Sequence, residues 1–76
     1  MKFPSKDTFI HFRLIVKGLS ESVGENYNRV SFDMIEDSGI VKLTYTAFIK
    51  NYGVHTGDTT REVINKLKEA IKSKSI

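Results

Sequence analysis

The chain reads as an α+β domain in which a three-stranded antiparallel sheet is followed by one C-terminal helix packed on one face, a βββα order. Three observations predict it: three stretches in which apolar and polar residues alternate, a turn-forming cluster between the second and third, and a capped amphipathic segment near the C-terminus. With 76 residues, 39% hydrophobic and 28% charged, the composition is that of an ordinary globular protein. A chain of this length is expected to form one domain over residues 1–76, with a single core.

The first stretch, residues 8–17, places Ile10, Phe12, Leu14 and Val16 on one side of an extended strand and Phe9, His11, Arg13, Ile15 and Lys17 on the other. Residues 19–27, with Ser20, Ser22, Gly24 and Asn26, read as a polar surface connection. The second strand, residues 28–36, sets Val30, Phe32 and Met34 against Arg29, Ser31, Asp33 and Ile35. The third, residues 40–50, sets Val41, Leu43, Tyr45, Ala47 and Ile49 against Ile40, Lys42, Thr44, Thr46, Phe48 and Lys50.

Glu36-Asp37-Ser38-Gly39 is a run of turn formers, so the second and third strands are expected to make a hairpin. Pairing Ile35 with Ile40 brings Met34 opposite Val41, Phe32 opposite Leu43 and Val30 opposite Tyr45. It also sets Asp33 across from Lys42, an exposed pair worth about a few tenths of a kcal/mol. A slip of one residue would turn an apolar side toward water.

Beyond the third strand, Asn51-Tyr52-Gly53 breaks the alternation and residues 54–57 lead irregularly to the helix. Thr59 followed by Glu62 is a capping-box pattern. Val63, Ile64, Leu67, Ala70 and Ile71 then recur at helical spacing, with lysines crowding the last turn, where the helix dipole favours them.

Little in the chain points to catalysis. There is no cysteine, and His11 and His55 lack the paired spacing of a metal site. His55 with Asp58 reads as a loop histidine beside a helix cap, and Glu36 with Asp37 as solubilising turn charges. Gly53 and Gly57 precede a helix without the Gly-Lys-Ser/Thr run of a phosphate loop. The expectation is a non-enzyme that takes no cofactor, metal or small-molecule substrate. The N-terminal segment, with Lys2 and Lys6 ahead of an apolar run broken by His11 and Arg13, does not read as a signal peptide. No apolar run reaches the roughly 20 residues of a membrane span, so a cytoplasmic protein without membrane contact is expected.

One helix covers one sheet face. The other is left carrying Phe9, His11, Arg13, Ile15 and Lys17 from the first strand, Arg29 and Ile35 from the second, and Ile40, Lys42, Phe48 and Lys50 from the third. This half-basic, half-apolar face is the expected binding surface. Its isoleucines and phenylalanines form a larger exposed patch than a small monomer normally shows, which favours contact with a protein partner or with a second copy. Phages encode many small accessory or inhibitor proteins of this kind, and the abundance of Lys, Ile and Asn suits an AT-rich microbial or viral genome. The alternative is nucleic-acid binding, with aromatic residues stacking on bases and cations neutralising phosphates. In element order the chain resembles the small sheet-plus-helix DNA-binding domains at the start of some tyrosine recombinases, a resemblance of topology alone. A net charge of only +3, with Asp33 in the middle of the proposed surface, favours the protein partner.

Overall fold

The computed structural model describes residues 6–74, and its order is α1 (Lys6–Ser22), β1 (Asn28–Asp37), β2 (Ile40–Ile49), β3 (Gly53–Gly57) and α2 (Thr60–Lys74). The class is α+β with a three-stranded antiparallel sheet, ordered β1-β2-β3. Residues 1–5, part of the segment read above for a leader, lie outside the described residues. Among the described residues no helix is long and apolar enough to cross a membrane.

The first element corrects the sequence reading, since residues 8–17 are helical rather than extended. Phe12 and Val16, four residues apart, satisfy a period of 2 and a period of 3.6 equally, and the neighbours decide between them. Phe9, Phe12, Val16, Leu19 and Val23 make a helical stripe: Phe12 and Val16 are 1% and 0% exposed and the other three pack against the core. Ile10 and Leu14, expected beside Phe12 on a covered strand face, stand 43% and 59% exposed on the far side of α1. The helix closes with a cap that the polar-connection reading missed. Gly24 takes φ +75°, its N–H donates to the Glu21 carbonyl at 3.1 Å, and the Glu25 N–H donates to the Ser20 carbonyl at 3.0 Å. That pair of bonds is a Schellman motif, which needs a residue free to adopt a left-handed conformation. Buried Ser20 adds a bond from its Oγ to the Glu25 carbonyl at 2.6 Å. The element order on which the recombinase-domain resemblance rests is therefore not the observed one.

The β1–β2 hairpin forms over the expected strands in a different register. Asp37 pairs with Ile40 across a two-residue loop, so Met34 meets Leu43, Phe32 meets Tyr45, Val30 meets Ala47, Asp33 meets Thr44 and Ile35 meets Lys42. Ser38 and Gly39 both have positive φ, +52° and +81°, the backbone of a type I′ turn, whose twist matches that of the strands it joins. The shift relative to the expected pairing is two residues, which preserves the side every residue faces. Residues 53–57, expected to be irregular, form β3 along the other edge of β2, after a turn in which Asn51 and Gly53 take positive φ.

Both helices lie on one side of the sheet. Phe12 and Val16 of α1, Tyr45, Ala47 and Ile49 of β2, and Val63 and Leu67 of α2 form the buried core. Edge-to-face ring contacts link Phe9 to Phe12 and Phe32, and Phe12 to Tyr45, at centroid distances of 6.4, 5.4 and 5.9 Å. At the start of α2, Thr59 Oγ1 accepts from the Glu62 N–H at 3.1 Å. The Glu62 carboxylate reaches back to the Asp58 N–H at 2.9 Å, one residue earlier than in a standard capping box. The predicted stripe of α2 is the observed one, with Val63 and Leu67 fully buried and Ile64, Ala70 and Ile71 partly so. Its last lysine caps a different element, Lys74 Nζ donating to the Asn51 carbonyl at 2.5 Å.

Coverage by the helices ends partway along the hairpin. The described residues span 44 × 22 × 17 Å, and all of β1 from Ser31 to Asp37 is exposed. Phe32 and Met34, expected under a helix, are 37% and 45% exposed. The distal hairpin is an arm with apolar residues on both faces.

Candidate functional site

Alternation along the strands sorts side chains into a helix-covered face and an open one, and the register aligns the open residues in rows across the sheet. Arg29, Phe48 and Val54 form one row, Ser31, Thr46 and Thr56 the next, then Asp33 with Thr44, Ile35 with Lys42, and Asp37 with Ile40. Tyr27 and Lys50 extend the series past the strands, joined by a bond from the Lys50 N–H to the Tyr27 carbonyl at 3.1 Å.

Of the residues expected on this face, Arg29, Ile35, Ile40, Lys42 and Phe48 are on it, and Lys50 borders it. Phe9, His11, Arg13, Ile15 and Lys17 are not, because the segment that carries them is α1, on the opposite side of the sheet. Phe9 turns inward onto Phe12 and Phe32. Ile15 is half-buried, and His11 and Lys17 are exposed on the helix. Arg13 lines a cleft with Phe9, Asn28, Arg29 and Val30, of about 270 Å³, beside the outer edge of β1.

Two shallow grooves mark the open face. One, of about 440 Å³, is lined by Tyr27, Arg29, Ser31, Thr46, Phe48 and Val54. The Tyr27 ring meets Phe48 edge-to-face at 5.6 Å, leaving Phe48 half-buried and Tyr27 exposed. The other, of about 310 Å³, lies toward the arm between Ile35, Asp37, Ile40 and Lys42. Tyr27 and Val54 are members that sequence reasoning assigned to loops. The signal was present in both cases: Tyr27 continues the odd-numbered alternation of β1 backward, and Val54 follows a glycine that restarts it.

The electrostatics are close to balanced. Arg29, Lys42 and Lys50 stand against Asp33 and Asp37, and moving Arg13 and Lys17 to the helix removes two of the cations expected here. Among the described residues no cluster of three or more His, Asp or Glu side chains could hold a metal ion. His55 lies on the helix-covered face, where its Nε2 is 2.8 Å from the Tyr52 carbonyl, so that nitrogen carries the proton and donates it to the bond. Asp58 is engaged through its backbone with Glu62. The site offers surface, aromatic edges and a few charges. Comparison of the chain with known protein families, characterised proteins and solved structures finds no match, so its function has to be read from its own residues.

Proposed function

We propose that this protein is a non-catalytic binding module of the accessory or inhibitor type, which docks a protein partner on the open face of its sheet. One observation carries the reading: both helices sit on one side, and the other side presents Tyr27, Ile35, Ile40 and Val54 at 51%, 56%, 67% and 60% exposure around two grooves. Apolar side chains gathered on one surface gain free energy when covered, at about 25 cal/mol per Å² removed from water, and such patches mark protein contacts. Nucleic acid is the weaker fit. Among the described residues the face has one aromatic pair, already engaged edge-to-face, and three cations offset by two carboxylates.

The test is capture from nuclease-treated host extract by the immobilised protein, compared with Val54→Glu and Ile35→Glu. Both side chains are exposed, so the variants keep the fold, which circular dichroism verifies. Loss of a specific captured protein with either variant is the expected result. Equal capture by all three would refute the reading. Binding to DNA or RNA probes at low salt that falls steeply with ionic strength and weakens on Lys42→Ala would replace it with the nucleic-acid alternative.

A further inference from the structure

β1 is an outer strand, and among the described residues no strand pairs with its free side. The hairpin determines which backbone groups face outward. Its closing pair, Asp37 with Ile40, flanks a two-residue loop and exchanges both backbone bonds, and the exchange recurs at every second pair. The Lys50-to-Tyr27 bond continues the same odd-numbered series beyond the strand. The N–H and C=O groups of Asn28, Val30, Phe32, Met34 and Glu36 therefore point away from β2, along a ten-residue edge. Proteins usually protect such an edge with charged residues, lysine above all, or with proline; β1 has no lysine or proline, and its charges are of both signs, Arg29 against Asp33, Glu36 and Asp37.

We infer that this edge pairs with the same edge of a second copy, antiparallel about a two-fold axis through Ser31, so that the two sheets become one. Charge selects that register. On the free side the odd-numbered residues form the non-hydrogen-bonded pairs, whose side chains come closest, with Cα atoms about 4.5 Å apart. An axis through Ser31 sets Arg29 opposite Asp33 of the other copy, and symmetry makes the contact twice. An axis through Asp33 would set Arg29 opposite Asp37 but would also place Asp33 directly against its own copy at the axis, a like-charge contact that the Ser31 axis avoids. One through Phe32 would place Arg29 against Ile35, and one through Val30 would place Arg29 against Ser31 and Asp33 against Tyr27.

The same register accounts for the uncovered arm. On the helix side it sets Val30 opposite Phe32, and Met34 opposite Asn28 of the other copy. Asn28 lines the cleft that Phe9 and Arg13 form beside the edge, so Met34 gains an apolar and cationic seat. Glu36, two residues further along the same face, approaches Arg13 of that cleft. The contact runs along the edge and shares Arg29 and Ser31 with the first groove and Ile35 with the second, so Val54, which lines the first groove two strands away from the edge, is the residue that separates partner docking from dimerisation.

Sedimentation or light scattering on the purified chain tests the inference. The expected mass is about twice 8.7 kDa. Arg29→Asp alone and Asp33→Arg alone should each weaken dimerisation at least about tenfold, because each puts like charges opposite one another twice. An equimolar mixture of the two variants should restore a dimer containing one of each, since the two-fold axis then pairs opposite charges at both contacts. Met34→Pro should give a folded monomer, because the N–H it removes faces outward and takes no part in the hairpin. Val54→Glu, on the distant β3, should leave the dimer unchanged. A monomeric wild type, or a dimer insensitive to both charge reversals, would overturn the inference.

Discussion

Residues 8–17 fit two periodicities, and replacing Phe12 and Leu14 one at a time separates them. In an extended strand both side chains share one covered face, and truncating either would cost several kcal/mol, about 3–5 for Phe→Ala and 2–5 for Leu→Ala. In the helix they point to opposite sides. Phe12 is 1% exposed, with aromatic edges against Phe9 and Tyr45, so Phe12→Ala should cost about 3–5 kcal/mol, the ring contacts favouring the upper part of that range. Leu14 is 59% exposed. Burying a whole leucine is worth about 1.5–3 kcal/mol. Leu14 has less than half of that to lose, and alanine is the better helix former, so Leu14→Ala should cost less than about 1 kcal/mol. A domain this small has roughly 4–11 kcal/mol of stability in all, and Phe12→Ala could unfold it outright. Phe12→Leu, expected to cost roughly 1–2 kcal/mol, keeps the comparison measurable. Urea denaturation followed by circular dichroism gives the free energies. Thermal midpoints should fall by about 4–8 °C per kcal/mol. Equal losses for Phe12→Ala and Leu14→Ala would refute the helical placement of this segment and the core built on it.

Two further outcomes follow from backbone geometry and capping. Gly18 lies inside α1 with nothing near the position a Cβ would take, whereas Gly24 is equally unobstructed but has φ +75°. In the same denaturation assay Gly18→Ala should stabilise by about 0.5–1 kcal/mol and Gly24→Ala should destabilise by about 1 kcal/mol; the same sign for both would contradict the cap. Thr59→Ala removes the acceptor for the Glu62 N–H and should cost about 1 kcal/mol. Lys66→Ala breaks only an exposed ion pair with Glu62, at 3.7 Å, and a bond to the Thr56 carbonyl, so it should cost less than about 0.5 kcal/mol. A Lys66 effect as large as that of Thr59 would mean that charge pairing, not capping, holds the start of α2.

Local pattern was enough for the elements whose signals agree. The α2 stripe, the Thr59 cap, the β1–β2 hairpin and the two-sidedness of its strands are all legible in the chain, because each depends on residues a few positions apart. The same holds for the part of the candidate face on β1 and β2, where Arg29, Ile35, Ile40, Lys42 and Phe48 share a side by alternation alone.

Tertiary structure decided the rest, and each case has a physical cause. Between Thr8 and Lys17 two periods share Phe12 and Val16. The choice falls to Phe9, Leu19 and Val23, which gain burial only if the segment winds as a helix and ends at Gly24. The hairpin register moved by two residues, a slip that hydrophobic alternation cannot detect because its period is two. The twist of a type I′ turn at Ser38-Gly39 selects it. β3 carries too short a pattern to declare itself and becomes a strand because β2 offers an edge. With α1 removed from the sheet, five of the residues expected on the open face leave it, and among the described residues no strand covers the outer edge of β1.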